Sequence, residues 1–201
     1  MRDDPGPEAV FVHAAGVRIG GRLVLLVGGP GSGKSTLTAL LLRRGHPMLG
    51  DDVVRFAAGD LSFHAVPRSL KLDPDALAAM GMGDVTSQGP ETGTFLAAGA
   101  LYTSPAVLLA AWDAGRGRAW GVVLLGDAPH AGPASLERHG EGGAAVRLLQ
   151  SVLGTAHLEP AGTRVDPRLR LLESLREAVA WRAGGGDPVR LADLIVEAAL
   201  T

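Results

Sequence analysis

A chain of 201 residues with 46% hydrophobic and 20% charged side chains holds enough apolar material for one ordinary core, and is predicted to form a single domain. A formal charge of -2 gives no electrostatic ground for a nucleic-acid or membrane partner, and the lack of cysteine excludes disulfides, thiolate catalysis and cysteine-built zinc sites. The opening MRDDPGPEAV has no signal-peptide pattern, and no apolar run approaches the ~20 residues a bilayer span requires, so a cytoplasmic location is expected.

Residues 1–9 read as a leader and 10–201 as the folded domain. VFVHAAGVRIGG is predicted as a strand ending in a Gly-Gly turn, followed by RLVLLVGG as a short buried strand. STLTALLLRRG reads as a helix closed by Gly45, with Arg43 and Arg44 in its last turn, where cations suit the dipole. Strands are expected at 46–49, 53–57 and 62–66, then a short helix with Asp73 as N-cap and Pro74 at its first position. Residues 81–100 carry turn signals without periodicity and receive no assignment. The apolar runs within 105–126 predict an antiparallel hairpin around a Gly- and Arg-containing turn. Helices are expected at about 142–153, 167–182 and 188–199, with RAGGGDP as the break between the last two.

Gly28-Gly29-Pro30-Gly31-Ser32-Gly33-Lys34-Ser35 fits G-x-x-x-x-G-K-[ST], between an apolar strand and a helix. Glycines without a Cβ let backbone N–H groups turn inward around an anion, and the helix start adds further donors and a positive dipole end. Lys34 is expected to reach the outer phosphates, Ser35 to ligate Mg²⁺, and Thr36 to complete the nucleotide-binding run. ATP and Mg²⁺ are therefore the expected cofactors.

Asp51 and Asp52 follow Lys34 after one helix and a short strand. Ligands of open sheets gather beyond strand ends, and adjacent carboxylates repel unless a cation intervenes, so the pair suits a metal site. One acid would then bind the metal while the other accepts a proton from an attacking hydroxyl. The same GDD also reads as a solvated turn. His13, alone in an apolar strand, reads equally as a half-buried structural residue.

Taken together, FVHAAGVRIGGRLVLLVGGPGSGKSTLTALLLRRGHPMLGDDVV resembles the catalytic domain of HPr kinase/phosphorylase over residues 10–56. PRSLKL at 67–72 also looks like a segment of short relatives in that family. The resemblance implies a single-domain α/β P-loop kinase of the phosphoenolpyruvate-carboxykinase-like type, with a mixed, largely antiparallel sheet and flanking helices. It implies Asp51 as the catalytic base toward a serine hydroxyl, Asp52 and Ser35 at the metal, Lys34 on phosphate, and His13 near the transferring group. His13 is followed by Ala14 where the family has glycine. Short family relatives phosphorylate a precursor peptide, so the implied partner is a protein or peptide serine. Family members form oligomers, and the apolar faces at 167–199 would serve either a homo-oligomer or the core.

Arg68 and Lys71 read as phosphate clamps or as solvated surface; Arg68 is carried forward as a candidate for stabilising the transferring phosphoryl group. Asp113 and Asp127 each end an apolar run as a metal-side aspartate would, or simply begin turns. Arg116 and Arg118 read as turn-tip charges, His130 and His139 as surface residues, and Trp112 with Trp120 as cross-strand packing. Two rivals stay open: a nucleotide or small-metabolite kinase, since GGPGSGK also looks like the adenylate-kinase loop, and a non-catalytic ATP-binding regulatory module. Residues 81–115 contain no arginine for the lid that nucleotide kinases use.

Overall fold

Short apolar runs separated by glycine turns build the framework of the computed structural model, which describes residues 9–79, 81–86, 90, 94–108, 113, 115–126, 132–155 and 166–201. The first part of the chain runs β1 (Ala9–Val12), β2 (Ala15–Ile19), β3 (Arg22–Val27), α1 (Lys34–Arg43), β4 (Met48–Gly50), β5 (Val54–Ala57) and β6 (Ser62–His64). The middle holds β7 (Leu70–Leu72), α2 (Pro74–Ala79), α3 (Gly83–Thr86), β8 (Phe95–Ala97) and β9 (Ala100–Thr103), then a 3₁₀ turn at Pro105–Leu108. The remainder runs β10 (Arg116–Gly117), β11 (Ala119–Leu124), β12 (Ser135–His139), α4 (Glu141–Gln150), β13 (Val152–Thr155), α5 (Pro167–Ser174), β14 (Val179–Gly184) and α6 (Pro188–Leu200).

These strands form a six-stranded sheet in the order β12-β14-β11-β3-β2-β4, a five-stranded sheet β10-β6-β5-β1-β13, and a small sheet β7-β9-β8. Among the described strand pairs, only those of β11 with β3 and with β14 are parallel. The fold is thus α/β with mixed, mostly antiparallel sheets and flanking helices.

The alternation along β3 explains the layering. Val24 and Leu26 enter one core cluster with Leu37, Leu41, Leu191 and Ile195 of α1 and α6. Leu23, Leu25 and Val27 enter the other, with Val10, Val12, Val54 and Phe56 of the five-stranded sheet and Leu148 and Leu171 of α4 and α5. A strand covered on both faces must be apolar along its covered length, which LVLLV after Arg22 is. The helix ends follow the sequence. Asp73 Oδ1 accepts from the backbone N–H of Asp75 and Ala76, and Asp187 Oδ1 from those of Val189 and Arg190, ahead of Pro188 at the first turn.

Several sequence expectations are corrected. The antiparallel hairpin at 105–126 does not form: 105–108 is a 3₁₀ turn, β10 pairs with β6, and β11 lies parallel between β3 and β14. An apolar run buried on both faces carries no periodicity that distinguishes parallel from antiparallel pairing. The expected helix at 167–182 stops at Ser174, and RAG of RAGGGDP belongs to β14, a strand that pairs on both edges. The helix expected to reach 153 ends at Gln150 and gives way to β13. VFVHAAGVRI is two strands in two sheets, and the unassigned 81–100 contains α3, β8 and the start of β9. Ala9, assigned to the leader, already belongs to β1. Trp112 lies outside the described residues; Trp120 packs on Trp181 of β14, ring centroids 5.4 Å apart, with the Arg22 guanidinium 4.5 Å from its ring.

Candidate phosphate-binding and acidic site

The site lies where the chain twice crosses between the two large sheets. β1 pairs with β5 in one sheet while β2 pairs with β4 in the other. The register sets Val12 against Val54 on one side of the seam and Gly16 against Gly50 on the other. His13-Ala14 and Asp51-Asp52-Val53 are the crossings, so they run side by side. Gly50 is required by the tightness of its crossing: a Cβ there would come within 2.3 Å of the Val53 carbonyl oxygen. His13 Nε2 and Asp52 Oδ1 consequently meet at 2.8 Å, and the backbone N–H of His13 donates to the Ser151 carbonyl at 2.7 Å.

The phosphate loop leaves β3 and enters α1. Gly31 and Gly33 adopt φ of +78° and +88°, a left-handed backbone that favours glycine. Gly33 is the helix N-cap and carries no capping side chain, so the first-turn N–H groups of α1 are left for a ligand. Lys34 is buried, and its Nζ donates to the carbonyls of Gly28 and Gly29 at 2.8 and 3.2 Å. Burial lowers its pKa, opposed by the charges of Asp52 and Asp51. The Thr38 hydroxyl donates to the Lys34 carbonyl at 2.9 Å, fixing the first turn.

The two aspartates occupy different environments. Asp51 is only 6% exposed, and its Oδ1 is buried without a hydrogen-bond partner. Burial pushes its pKa up from an ordinary 3.8 to about 6, against the opposing pull of the Ser35 hydroxyl and with Asp52 adding repulsion. The Asp52 side chain is 61% exposed and opens into a cavity of about 730 Å³ beside the loop. His13, residues 29–36, Lys71 and Asp73 share that wall, whereas Asp51 does not reach it.

The structure thus brings together His13, Gly29, Pro30, Gly31, Ser32, Gly33, Lys34, Ser35, Thr36 and Asp52 around one cavity, with Gly28 and Asp51 just behind. It does not bring Arg68 there: Arg68 is exposed ahead of β7 and absent from the cavity wall. Lys71, exposed between buried Leu70 and Leu72, lines the cavity. Asp113 is held by Arg18 and by the backbone N–H of Gly115, away from the loop. Arg116 pairs with Asp60 at 3.1 Å, and Arg118 is exposed. His139 closes β12, while Asp127 and His130 lie outside the described residues.

Among the described residues no cluster of three or more His, Asp or Glu is assembled to hold a metal. Mg²⁺ keeps water and takes one or two carboxylates together with substrate phosphates. The Ser35 hydroxyl and the unpartnered Asp51 oxygen are hard oxygen donors side by side, and fit such an ion. Also among the described residues, no helix is long and apolar enough to cross a membrane. Comparison with protein-family models and with curated proteins returned no match.

Proposed function

We propose that the chain is an ATP-dependent kinase that transfers the γ-phosphoryl group to a hydroxyl, in this reading a serine of a protein or precursor peptide. One observation carries it: a phosphate loop with a free helix start and a histidine-held carboxylate line one cavity. The mixed sheet supports the phosphoenolpyruvate-carboxykinase-like reading of the fold, because the loop strand β3 has antiparallel β2 on one side and parallel β11 on the other. The all-parallel sheet of nucleotide kinases would not have that arrangement.

Burial reassigns the acids within this reading. A general base must reach the proton it removes, and Asp52 alone of the pair opens to the cavity. His13 orients it from 2.8 Å. Asp51 and Ser35 form the metal side. Mg²⁺, when bound there, supplies neutralising charge on the phosphates. The backbone N–H groups of residues 31–35 cradle the phosphates, and Lys34 leaves the Gly28 and Gly29 carbonyls to meet the terminal one. The serine oxygen bonds to the γ-phosphorus as the bond to the β,γ-bridging oxygen breaks. ADP leaves with that electron pair, the serine proton passes to Asp52, and Lys71 offers a cation to the acceptor side.

The test is incubation with labelled ATP, Mg²⁺ and candidate peptides, with mass spectrometry locating the phosphate. Serine phosphate that disappears in Asp52→Asn supports the reading. Phosphate on a nucleoside monophosphate alone would favour a nucleotide kinase. Tight ATP binding without transfer or hydrolysis would favour a regulatory module.

A further inference from the structure

On the other side of the phosphate loop a second cavity, of about 230 Å³, opens between α1 and the turn from β14 to α6. Leu37, Leu125, Ala183, Gly185, Pro188 and Leu191 are among its walls. Ser32, Gly33, Thr36 and Ala76 line both this cavity and the acidic one. The loop is therefore a partition with a recess on each side, and one extended ligand can occupy both.

The two recesses have different chemistry. Lys34, Asp52, Lys71 and Asp73 face the first. Among the described residues no charged side chain lines the second, whose only polar side chains are Ser32 and Thr36. The Ser32 hydroxyl oxygen is buried without a hydrogen-bond partner. The glycine turn at 184–186 brings main-chain donors and acceptors to the rim without side chains in the way, and Gly186 N–H anchors it on the Gly132 carbonyl at 3.1 Å. At about 230 Å³ the recess is smaller than the ~300–1,000 Å³ sites that take whole drug-sized ligands, and suits one flat ring system.

We propose that this apolar recess holds the purine base of the nucleotide whose phosphates occupy the loop, a placement that rests on the phosphate-loop reading above. The nucleotide then lies across the N-terminus of α1, base beside Leu37 and Leu191, terminal phosphoryl beside Lys34 and Asp52. Recognition is by apolar contact and main-chain hydrogen bonds, since no charged side chain among the described residues lines the recess.

The experiment compares Mg·ATP with Mg·tripolyphosphate by calorimetry, in the wild type and in Ala183→Phe, which fills the recess from β14. The wild type is expected to bind ATP at least about tenfold more tightly than tripolyphosphate, and the variant to lose about tenfold or more for ATP alone. Because the larger side chain can also unfold the protein, 8-azido-ATP is photolysed on the wild type and the adduct mapped. Label on residues 183–191 or 125–126 supports the base site, and label confined elsewhere overturns it. Tripolyphosphate binding with no advantage for ATP removes the base site alone. Binding of neither removes the phosphate-loop reading as well.

Discussion

The two faces of the phosphate loop are built from different parts of the chain. The acidic face comes from residues 13, 29–36, 52, 71–73 and 76, with Gly99 and Ala100 beside them, all within the first half of the sequence. The apolar face takes its outer wall from 125–126 and 183–191. One face carries charged side chains, while the other carries apolar ones. The loop joins them because its glycines expose main chain to both sides. In the proposed function, chemistry falls where the chain crosses between sheets, and recognition where a glycine turn leaves main chain bare.

The sharpest way to test that division is Asp52→Asn. If Asp52 is the proton acceptor, turnover falls by roughly 10²–10⁴-fold while Mg·ATP affinity, governed by the loop and the apolar face, stays within about threefold. Steady-state kinetics together with calorimetry reads both. Equal losses in turnover and ATP affinity would make Asp52 a nucleotide ligand and not a base.

Asp51→Asn separates the two acids by stability. The folded-state pKa of Asp51 is raised from 3.8 to about 6 by burial, so the folded protein binds its proton more tightly than the unfolded chain does. Stability is therefore greatest below about pH 4, falls as the pH rises through about 6, and stays lower above. Asparagine removes that loss. In metal-free protein the variant is expected to gain up to about 3 kcal/mol at pH 8 and to match the wild type near pH 4. Thermal melts across that range check it, and a variant no more stable at pH 8 would contradict the burial of a charged Asp51. A gain in stability with a loss of Mg²⁺ dependence is the trade expected of a strained functional acid.

Much of the acidic face was legible because its parts lie close in sequence and each is chemically unusual. A glycine loop before a helix has few other uses, and adjacent aspartates after a short strand attract attention on charge alone. Their depth was not legible. Neighbours in a strand-to-strand crossing point in opposite directions, so Asp51 lies inward and Asp52 outward, which is why the proposed base is Asp52 and not the Asp51 that the resemblance implied. In PRSLKL the β7 alternation puts Lys71 and not Arg68 on the cavity wall, and no composition rule fixes where that alternation starts. The apolar face was invisible. Its parallel strand β11 is a largely buried run without a telling periodicity, β14 is a half-buried run read as the end of a helix, and RAGGGDP gave the turn without the strand before it.

Gly50→Ala tests whether the crossing itself holds the acidic face together. An added Cβ meets the Val53 carbonyl oxygen at 2.3 Å, a backbone atom that cannot rotate away. A cost of about 2 kcal/mol is expected, with the His13–Asp52 contact displaced and the apolar face untouched. Denaturant melts report the first part. Photolabelling by 8-azido-ATP at an unchanged site, in a variant with lowered turnover, reports the second.

The smallest effect acts on the opposite face. Asp187 caps α6 by accepting from the N–H groups of Val189 and Arg190 at 3.0 and 3.1 Å, and Pro188 and Leu191 of that first turn wall the apolar recess. Asp187→Ala leaves two donors to solvent and is expected to cost about 1 kcal/mol of stability. Fraying of that turn loosens the wall against the base and not the cradle around the phosphates. ATP affinity should therefore fall by about two- to fivefold, a fraction of the capping energy, while tripolyphosphate affinity is unchanged. If both ligands weaken together, the loop and the apolar wall form one unit, and the division of labour between the faces does not hold.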